Sequence, residues 1–349
     1  MHTPTAQNIS RSEFLGRSAA VFGAAALAQQ CQSSYTTARQ PGGAGNDPLE
    51  NARAAGFQDR PILMALNVGI TAPNPHNTQA WKFRALSATA ALLYVDETRT
   101  LPATDPTTRQ IHIGQGCLLE LVEIAASRLG FGTRIELFPD GAYVPGRDIG
   151  KKPIARITLI RGGVSHVDPL FDSIARRHTV RAAYSGPMIQ ASEFLQLERL
   201  TRPKRSRLET IRSPKVVARH VAAHMAGFER EVLTRRTAEE SRKWFRIGSR
   251  EIFTRRDGIS LRDNGVQGFE RWMIETFFLS KEPTVYYDEA NTRRFLERYR
   301  ADLETAKGIL HFVTPTNAPR DWVLCGRDYA RFQLAATHMG LVSRPMSQL

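Results

Sequence analysis

Two stretches of this 349-residue chain resemble each other at an offset of 210 residues. Gly116 to Phe131 reads GCLLELVEIAASRLGF, and Gly326 to Leu341 reads GRDYARFQLAATHMGL. Gly116 aligns with Gly326, Ala125-Ala126 with Ala335-Ala336, and Gly130 with Gly340. A turn bearing proline and threonine precedes each, at 102–108 and at 314–319. Both stretches space their apolar residues as a helix does. Either two related α+β halves lie in one chain, or two amphipathic helices share a pattern by coincidence. In the first case the halves pack together as the two subunits of a dimer would.

At about 150 residues per domain, the length suggests about two domains. The apolar fraction is 42% and the charged fraction 23%, ordinary for a globular protein. A disordered, fibrous or polytopic membrane chain is thereby excluded. Three cysteines exclude a disulfide scaffold and a four-cysteine zinc site. Nine histidines form no HExxH or HxH pair, which argues against a metal enzyme. The formal charge is 48 − 34 = +14, and such an excess attracts anions. Its densest run is Arg202, Lys204, Arg205 and Arg207. No aromatic residue interleaves with it, so no base-stacking platform and no specific nucleic-acid partner are indicated.

Residues 1–30 carry the marks of an export signal. Arg11 and Arg17 precede the apolar stretch Ala19 to Ala28, too short to span a bilayer as a helix, and Ala26-Leu27-Ala28 supplies small residues for cleavage. Ser10-Arg11-Ser12-Glu13-Phe14-Leu15 is similar to the twin-arginine export motif, with Ser12 in place of the second arginine. A periplasmic or cell-envelope location is expected, and a cytoplasmic one if the signal is not used. Cys31 is a candidate lipid anchor, although Gln29 and Gln30 stand where small residues are wanted. Residues 31–48 read as a flexible linker.

Folded structure is expected from about residue 49. The patterning predicts helices over 49–68, 107–129, 171–175, 191–201, 214–247, 266–280, 289–304 and 321–339. It predicts strands over 81–86, 91–96, 131–138, 155–161 and 308–313.

Two segments carry chemistry. The first is the proline-stiffened loop Ala72-Pro73-Asn74-Pro75-His76-Asn77-Thr78-Gln79-Ala80-Trp81. Its carboxamides both donate and accept, which suits a flat heterocycle with alternating N–H and C=O groups. Equally, those side chains cap the backbone of a structural loop. The second is Arg176-Arg177-His178-Thr179-Val180-Arg181. On a helix Arg177 and Arg181 would share a face. With His178 and Thr179 between them they suit a phosphate. A solvent-facing basic turn is the other reading.

Taken together, the two segments resemble the nitroreductase superfamily of FMN flavoproteins. The family loop runs approximately A-P-S-x-x-N-x-Q-P-W; Asn74 and Ala80 depart from it. The family phosphate motif R-[HR]-[ST]-x-[KR] is matched in full by Arg177-His178-Thr179-Val180-Arg181. In the usual family the arginines come first. Here the loop precedes them by about 100 residues, as in the single-chain, twin-domain branch, which Asp105 to Gly130 also resembles.

The resemblance implies an α+β, nitroreductase-like fold, with halves at 49–165 and 166–349 forming an intramolecular pseudo-dimer in a monomer. A helical insertion over about 208–280 falls in the second half. It implies FMN, with Arg177, His178 and Thr179 on the phosphate, Arg181 nearer the pyrimidine edge, and Pro73, Asn74, Asn77 and Gln79 from the loop. NADH or NADPH is the implied electron donor, and a nitroaromatic or quinone the small-molecule acceptor. No protein nucleophile, general base or metal is required. One intact site per chain is implied. The alternative is a flavin-sequestering protein whose insertion blocks turnover. Family members continue past the last helix with a strand that wraps the partner half; a chain stopping at Met346-Ser347-Gln348-Leu349 implies a less enclosed site. Trp244, Phe245, Trp272, Phe277 and Phe278 are candidates for a lid or for packing.

Overall fold

The computed structural model describes residues 7–9, 47–164, 166–261, 266, 274 and 289–348. Of the proposed export signal, residues 7–9 alone are described; Arg11, Arg17, the apolar stretch and Cys31 lie outside the described residues, as do Trp272, Phe277 and Phe278.

The alternation of Trp81, Phe83 and Ala85 with Lys82 and Arg84 makes one face apolar, and β2 (Trp81–Ala85) buries that face. Its antiparallel partner is β3 (Ala90–Val95), in the register Trp81↔Val95 to Ala85↔Ala91. β5 (Ala155–Arg161) pairs with β3, and β4 (Phe131–Leu137) pairs with β5. The short β1 (Gln7–Ile9) adds an edge, with Ile9 opposite Phe83. The sheet order is β1-β2-β3-β5-β4, antiparallel at every pairing.

Helices cover the buried face. α1 (Glu50–Ala54) and α2 (Pro61–Gly69) replace the single helix expected over 49–68. The break follows from local chemistry. Gly56 sits at φ +74°, and Pro61, which has no N–H, starts a new helix at its first turn. α3 (Arg109–Arg128) buries Ile111, Leu118, Leu121, Val122 and Ile124. The Asp105 carboxylate accepts from the Ile111 N–H at 2.9 Å and satisfies one of its free donors.

After the short α4 (Pro145–Asp148) and a 3₁₀ turn (Phe171–Ser173) come α5 (Ala191–Thr201), β6 (Arg207–Ile211), α6 (Pro214–Leu233) and α7 (Arg235–Lys243). The helix expected over 214–247 is therefore two helices and a strand. Thr234 adopts extended backbone (φ −81°, ψ 114°), and β7 (Phe245–Arg246) begins soon after. α8 (Gly248–Arg255), β8 (Ile259–Ser260), α9 (Glu289–Glu304), β9 (Ile309–Val313) and α10 (Pro319–His338) complete the order. The helix expected over 266–280 falls almost wholly outside the described residues. β6 and β9 pair antiparallel, and β7 and β8 pair parallel. α6 and α9 share a small core of Val217, Val221, Met225, Leu296 and Leu303, separate from the main one.

α3 and α10 pack on each other, and their bounds differ by 210 at both ends (319 − 109 and 338 − 128). The contact is reciprocal. A Cβ on Gly116 would overlap the Val323 carbonyl oxygen, and a Cβ on Gly326 would overlap the Ile113 carbonyl oxygen. Gly116 and Gly326 are 210 apart, as are Ile113 and Val323. Both glycines are thus required because the backbones touch. Beside the crossing, Glu120 is fully buried and receives Arg327 at 2.8 Å and Arg331 at 3.3 Å.

Candidate functional site

The loop 71–79 is held in an uncommon backbone shape. His76, Asn77 and Gln79 have φ of 48°, 49° and 52°, where side chains other than glycine and asparagine are disfavoured. Its own carboxamides stabilise that shape. Asn74 Oδ1 accepts from the Gln79 N–H at 2.8 Å, and Asn74 Nδ2 donates to the Ala72 carbonyl at 3.0 Å. Gln79 Nε2 donates to Asn77 Oδ1 at 3.1 Å and to the Arg256 carbonyl at 2.7 Å. Gln115 Nε2, on α3, donates to the Ala80 carbonyl at 2.6 Å. Gly114 lets α3 approach: a Cβ there would stand 3.2 Å from Asn74 Cβ. The structural role of Asn74 and Gln79 is therefore evident in the fold itself.

The arginine segment is not helical. After the 3₁₀ turn it runs extended, and Thr179 forms a parallel bridge with Ser343, with the Val180 N–H donating to the Ser343 carbonyl at 3.3 Å. Arg177 and Arg181 thus share no helix face. The physical reason is the strand laid beside them by the chain that follows α10, which offers backbone pairing in place of a helical turn. Arg177 Nη1 donates to Gln333 Oε1 on α10 at 2.9 Å, and Nη2 reaches the Thr71 carbonyl at 3.5 Å. Its Nε is buried without a partner, and burial pulls its pKa down. His178 is exposed, with Nδ1 2.9 Å from the Arg176 carbonyl.

Both segments line one cleft of about 3120 Å³. Pro73, Asn74, Asn77 and Gln79 stand on its wall together with Arg177, His178, Thr179 and Arg181. All eight residues singled out in the sequence are brought together, and Arg177 reaches Thr71, the residue that precedes the amide motif.

The insertion closes over the loop. The Gly258 N–H donates to the Asn77 carbonyl at 3.0 Å. Asp257 pairs with Arg99 and, at 2.8 Å, with Arg246, while Arg99 Nε donates to the Thr78 carbonyl at 2.5 Å. Trp244 stacks beneath the guanidinium groups of Arg99 (5.0 Å) and Arg246 (5.6 Å), so it packs as a cation–π partner. Glu240 accepts from the backbone N–H groups of Ala103 and Thr104 at 2.9 and 2.7 Å.

Sequence reasoning passed over several residues here. His76 lies in the loop yet received no role; its Nε2 is 3.1 Å from Ser241 Oγ, and burial, with the nearby Arg181 charge, pushes its pKa down to about 4. Tyr329 on α10 accepts from Gln333 at 2.5 Å, and burial raises its pKa. Tyr184, Tyr299 and Arg344 also line the cleft, and no motif announces them. The basic run has a structural use. Lys204 pairs with Glu123 at 2.8 Å, Arg205 with Asp321 at 2.6 Å and Arg207 with Glu209 at 2.5 Å. Among the described residues, no group of three or more His, Cys, Asp or Glu could hold a metal, and no helix is long and apolar enough to cross a membrane.

No family model matches the chain. It is similar to three proteins of Mycobacterium tuberculosis. It is 31% identical over 130 residues to one named "Putative NAD(P)H nitroreductase Rv3131", covering 36% of this chain and 34% of that one. It is 34% identical over 79 residues to "Putative NAD(P)H nitroreductase acg", covering 23% and 24%. It is 29% identical over 131 residues to "Uncharacterized protein Rv3127", covering 36% of each. The chain therefore matches about a third of the length, or less, of these relatives. It is a distant relative of proteins named as nitroreductases, which is the class of oxidoreductase that the two motifs suggest.

Proposed function

We propose that the cleft holds FMN and that the chain is an FMN-dependent NAD(P)H oxidoreductase of nitroreductase type. The observation that carries this reading is the meeting of the two motifs: Arg177 reaches the Thr71 carbonyl, next to the amide motif, and both segments line the same cleft. The donor set fits the cofactor. Guanidinium groups suit its phosphate, loop carboxamides and backbone suit its ring edge, and Arg177 Nε is a buried donor awaiting an acceptor. Arg177, His178 and Thr179 would hold the phosphate, and Arg181 would stand near the pyrimidine edge, where its charge favours negative charge on the ring. Pro73, Asn74, Asn77 and Gln79 would line the ring. When bound, the cofactor supplies hydride acceptance from NAD(P)H and hydride delivery to an electron-poor nitroaromatic or quinone. The protein binds, orients and excludes water; no protein nucleophile is needed.

The reciprocal crossing of α3 and α10 supports two related halves joined as an internal pseudo-dimer. We further read residues 1–30 as an export address, testable by cell fractionation. The absorption spectrum of protein purified without added flavin tests the main proposal. A yellow preparation with the visible absorption of an oxidised flavin is expected; a colourless preparation that takes up no FMN refutes it.

A second reading is favoured by one observation. The insertion is fastened to the loop through Gln79–Arg256, Asn77–Gly258 and Arg99–Asp257. A cleft so covered suits storage of the flavin without turnover. Stopped-flow mixing with NADPH separates the two: bleaching within seconds indicates an oxidoreductase, and flavin oxidised after many minutes indicates storage.

A further inference from the structure

The chain that follows α10 carries a cation which nothing else in the protein explains. Ser343 pairs with Thr179 of the arginine segment, and Arg344 is the next residue. Nε, Nη1 and Nη2 of Arg344 are all buried, and none has a hydrogen-bond partner. No carboxylate among the described residues lies within ion-pair distance of it. Its neighbours are the rings of Tyr299, 4.7 Å away, and Tyr184, 5.6 Å away. A guanidinium offers five N–H donors in a planar fork. Burying these donors unpaired is costly, and the cation–π contacts return only part of that cost. Among the described residues nothing supplies the rest.

Its position narrows what could supply that remainder. Tyr299 is on α9 and stacks on Phe228 of α6 at 4.4 Å. Arg344 therefore stands on the α6–α9 side of the cleft, whereas the amide loop meets α7 and the turn before β8. Arg177 and Arg181 already serve the proposed cofactor. The same cleft is lined by Tyr184, Phe228, Tyr299 and Phe312, aromatic surfaces suited to a flat molecule. Its volume of about 3120 Å³ leaves room for a second ligand beside a flavin. Burial and the Arg344 charge push the pKa of the nearby His224 down to about 4, while the charge of Arg181, on the arginine segment, also reaches both tyrosines.

We infer that Arg344 anchors an oxyanion of the reactant that enters against the flavin: a carboxylate or phosphate carried by a flat, conjugated small molecule. The inference rests on the reading of the cleft as a redox site and adds the charge of its substrate. Side-chain rotation out from between the two tyrosines presents the fork to the cleft, and the ligand's ring replaces it against the aromatic wall. The anion then supplies the bidentate partner that the guanidinium lacks.

The test is calorimetric titration of the full chain, flavin-loaded and flavin-free, with 4-nitrobenzoate, the neutral 4-nitrobenzyl alcohol, and NADPH. Arg344→Gln is expected to weaken 4-nitrobenzoate at least tenfold and leave the alcohol within about twofold, which places the oxyanion on the acceptor. Loss confined to NADPH places it on the donor's phosphates and equally supports the anchor. The inference is overturned if both anions bind the variant as they bind the native chain, if the neutral probe weakens as much, or if the variant loses its flavin instead. Should Arg344→Gln fail to fold by circular dichroism, Arg344→Lys decides: the charge stays but the fork is lost, so the affected anion should weaken several-fold, and unchanged affinity overturns the inference. A chain that takes up no FMN refutes the proposed function, whereas the flavin-free titration still reports on Arg344.

Discussion

The two walls of the cleft are built by opposite means. The loop wall is over-determined: Asn74, Asn77 and Gln79 bond one another and the backbone, and α3 presses on them through Gly114. The arginine wall is held by a bridge to Ser343 and by Arg177 reaching across to Gln333 and Thr71. One wall has spent its donors on shape; the other keeps buried donors without acceptors, at Arg177 Nε and throughout the Arg344 guanidinium. Rigid carboxamides make one wall a platform, whereas the other wall holds cations with donors to spare. The α3–α10 crossing welds the walls together.

Breaking the weld should have the largest effect. Gly326→Ala drives a methyl group into the Ile113 carbonyl, and backbone on both sides cannot give way. A loss of about 3 kcal/mol or more is expected, seen as a fall in Tm of roughly 5 °C or more. A native Tm would mean that the helices part more readily than this packing allows.

Removing the cation of the looser wall comes next. Arg177→Ala should lower flavin affinity by roughly two orders of magnitude, since a charge-assisted bidentate contact and a buried bond to Gln333 disappear together. Flavin retained through gel filtration at the native ratio would contradict the phosphate assignment.

Acid should act on both walls. His76, His112 and His224 are each held near pKa 4 by burial. A histidine with a depressed folded pKa binds fewer protons folded than unfolded, so stability is full above its usual value of about 6.5 and falls as pH drops toward 4. Denaturant midpoints measured from pH 7 to 5 should decline steadily. A flat profile would show that these rings keep their usual pKa in the folded chain.

The fastening between insertion and loop is the next test. Hydrogen bonds from Arg99 and Arg246 outweigh burial and hold the Asp257 carboxyl below its usual range. Asp257→Asn should loosen the cover and speed flavin reduction by NADPH several-fold if access limits it; an unchanged rate would show that access is already open. The smallest effect is expected for Asn77→Ala. Its side chain lends Oδ1 to Gln79, so flavin affinity should fall only about threefold, by loop relaxation worth roughly 0.5–1 kcal/mol. A loss as great as that of Arg177→Ala would make Asn77 a principal ligand.

Particular residues show what was legible before any coordinates. The alternation of Trp81, Phe83 and Ala85 marked a half-buried strand, and the glycine and alanine positions shared at offset 210 marked two similar helices, whose mutual packing the fold then revealed. Breaks inside helices were less legible. Gly56 and Pro61 signalled one, but nothing at Thr234 announces the extended backbone that ends α6. The face that Arg177 and Arg181 would share on a helix does not form, because spacing four apart carries no information about backbone arriving from residue 343.

By itself the sequence determined the two long helices, expected over 107–129 and 321–339, and the apolar faces of the strands, since periodicity and turn chemistry act over a few neighbouring residues. Only the tertiary structure decided that Arg177 meets Thr71 across 106 positions, that the basic run is spent on Glu123, Asp321 and Glu209, and that Arg344 is left buried and unpaired. Whether a charge is free or satisfied depends on groups distant in the chain, and on the water removed when they pack.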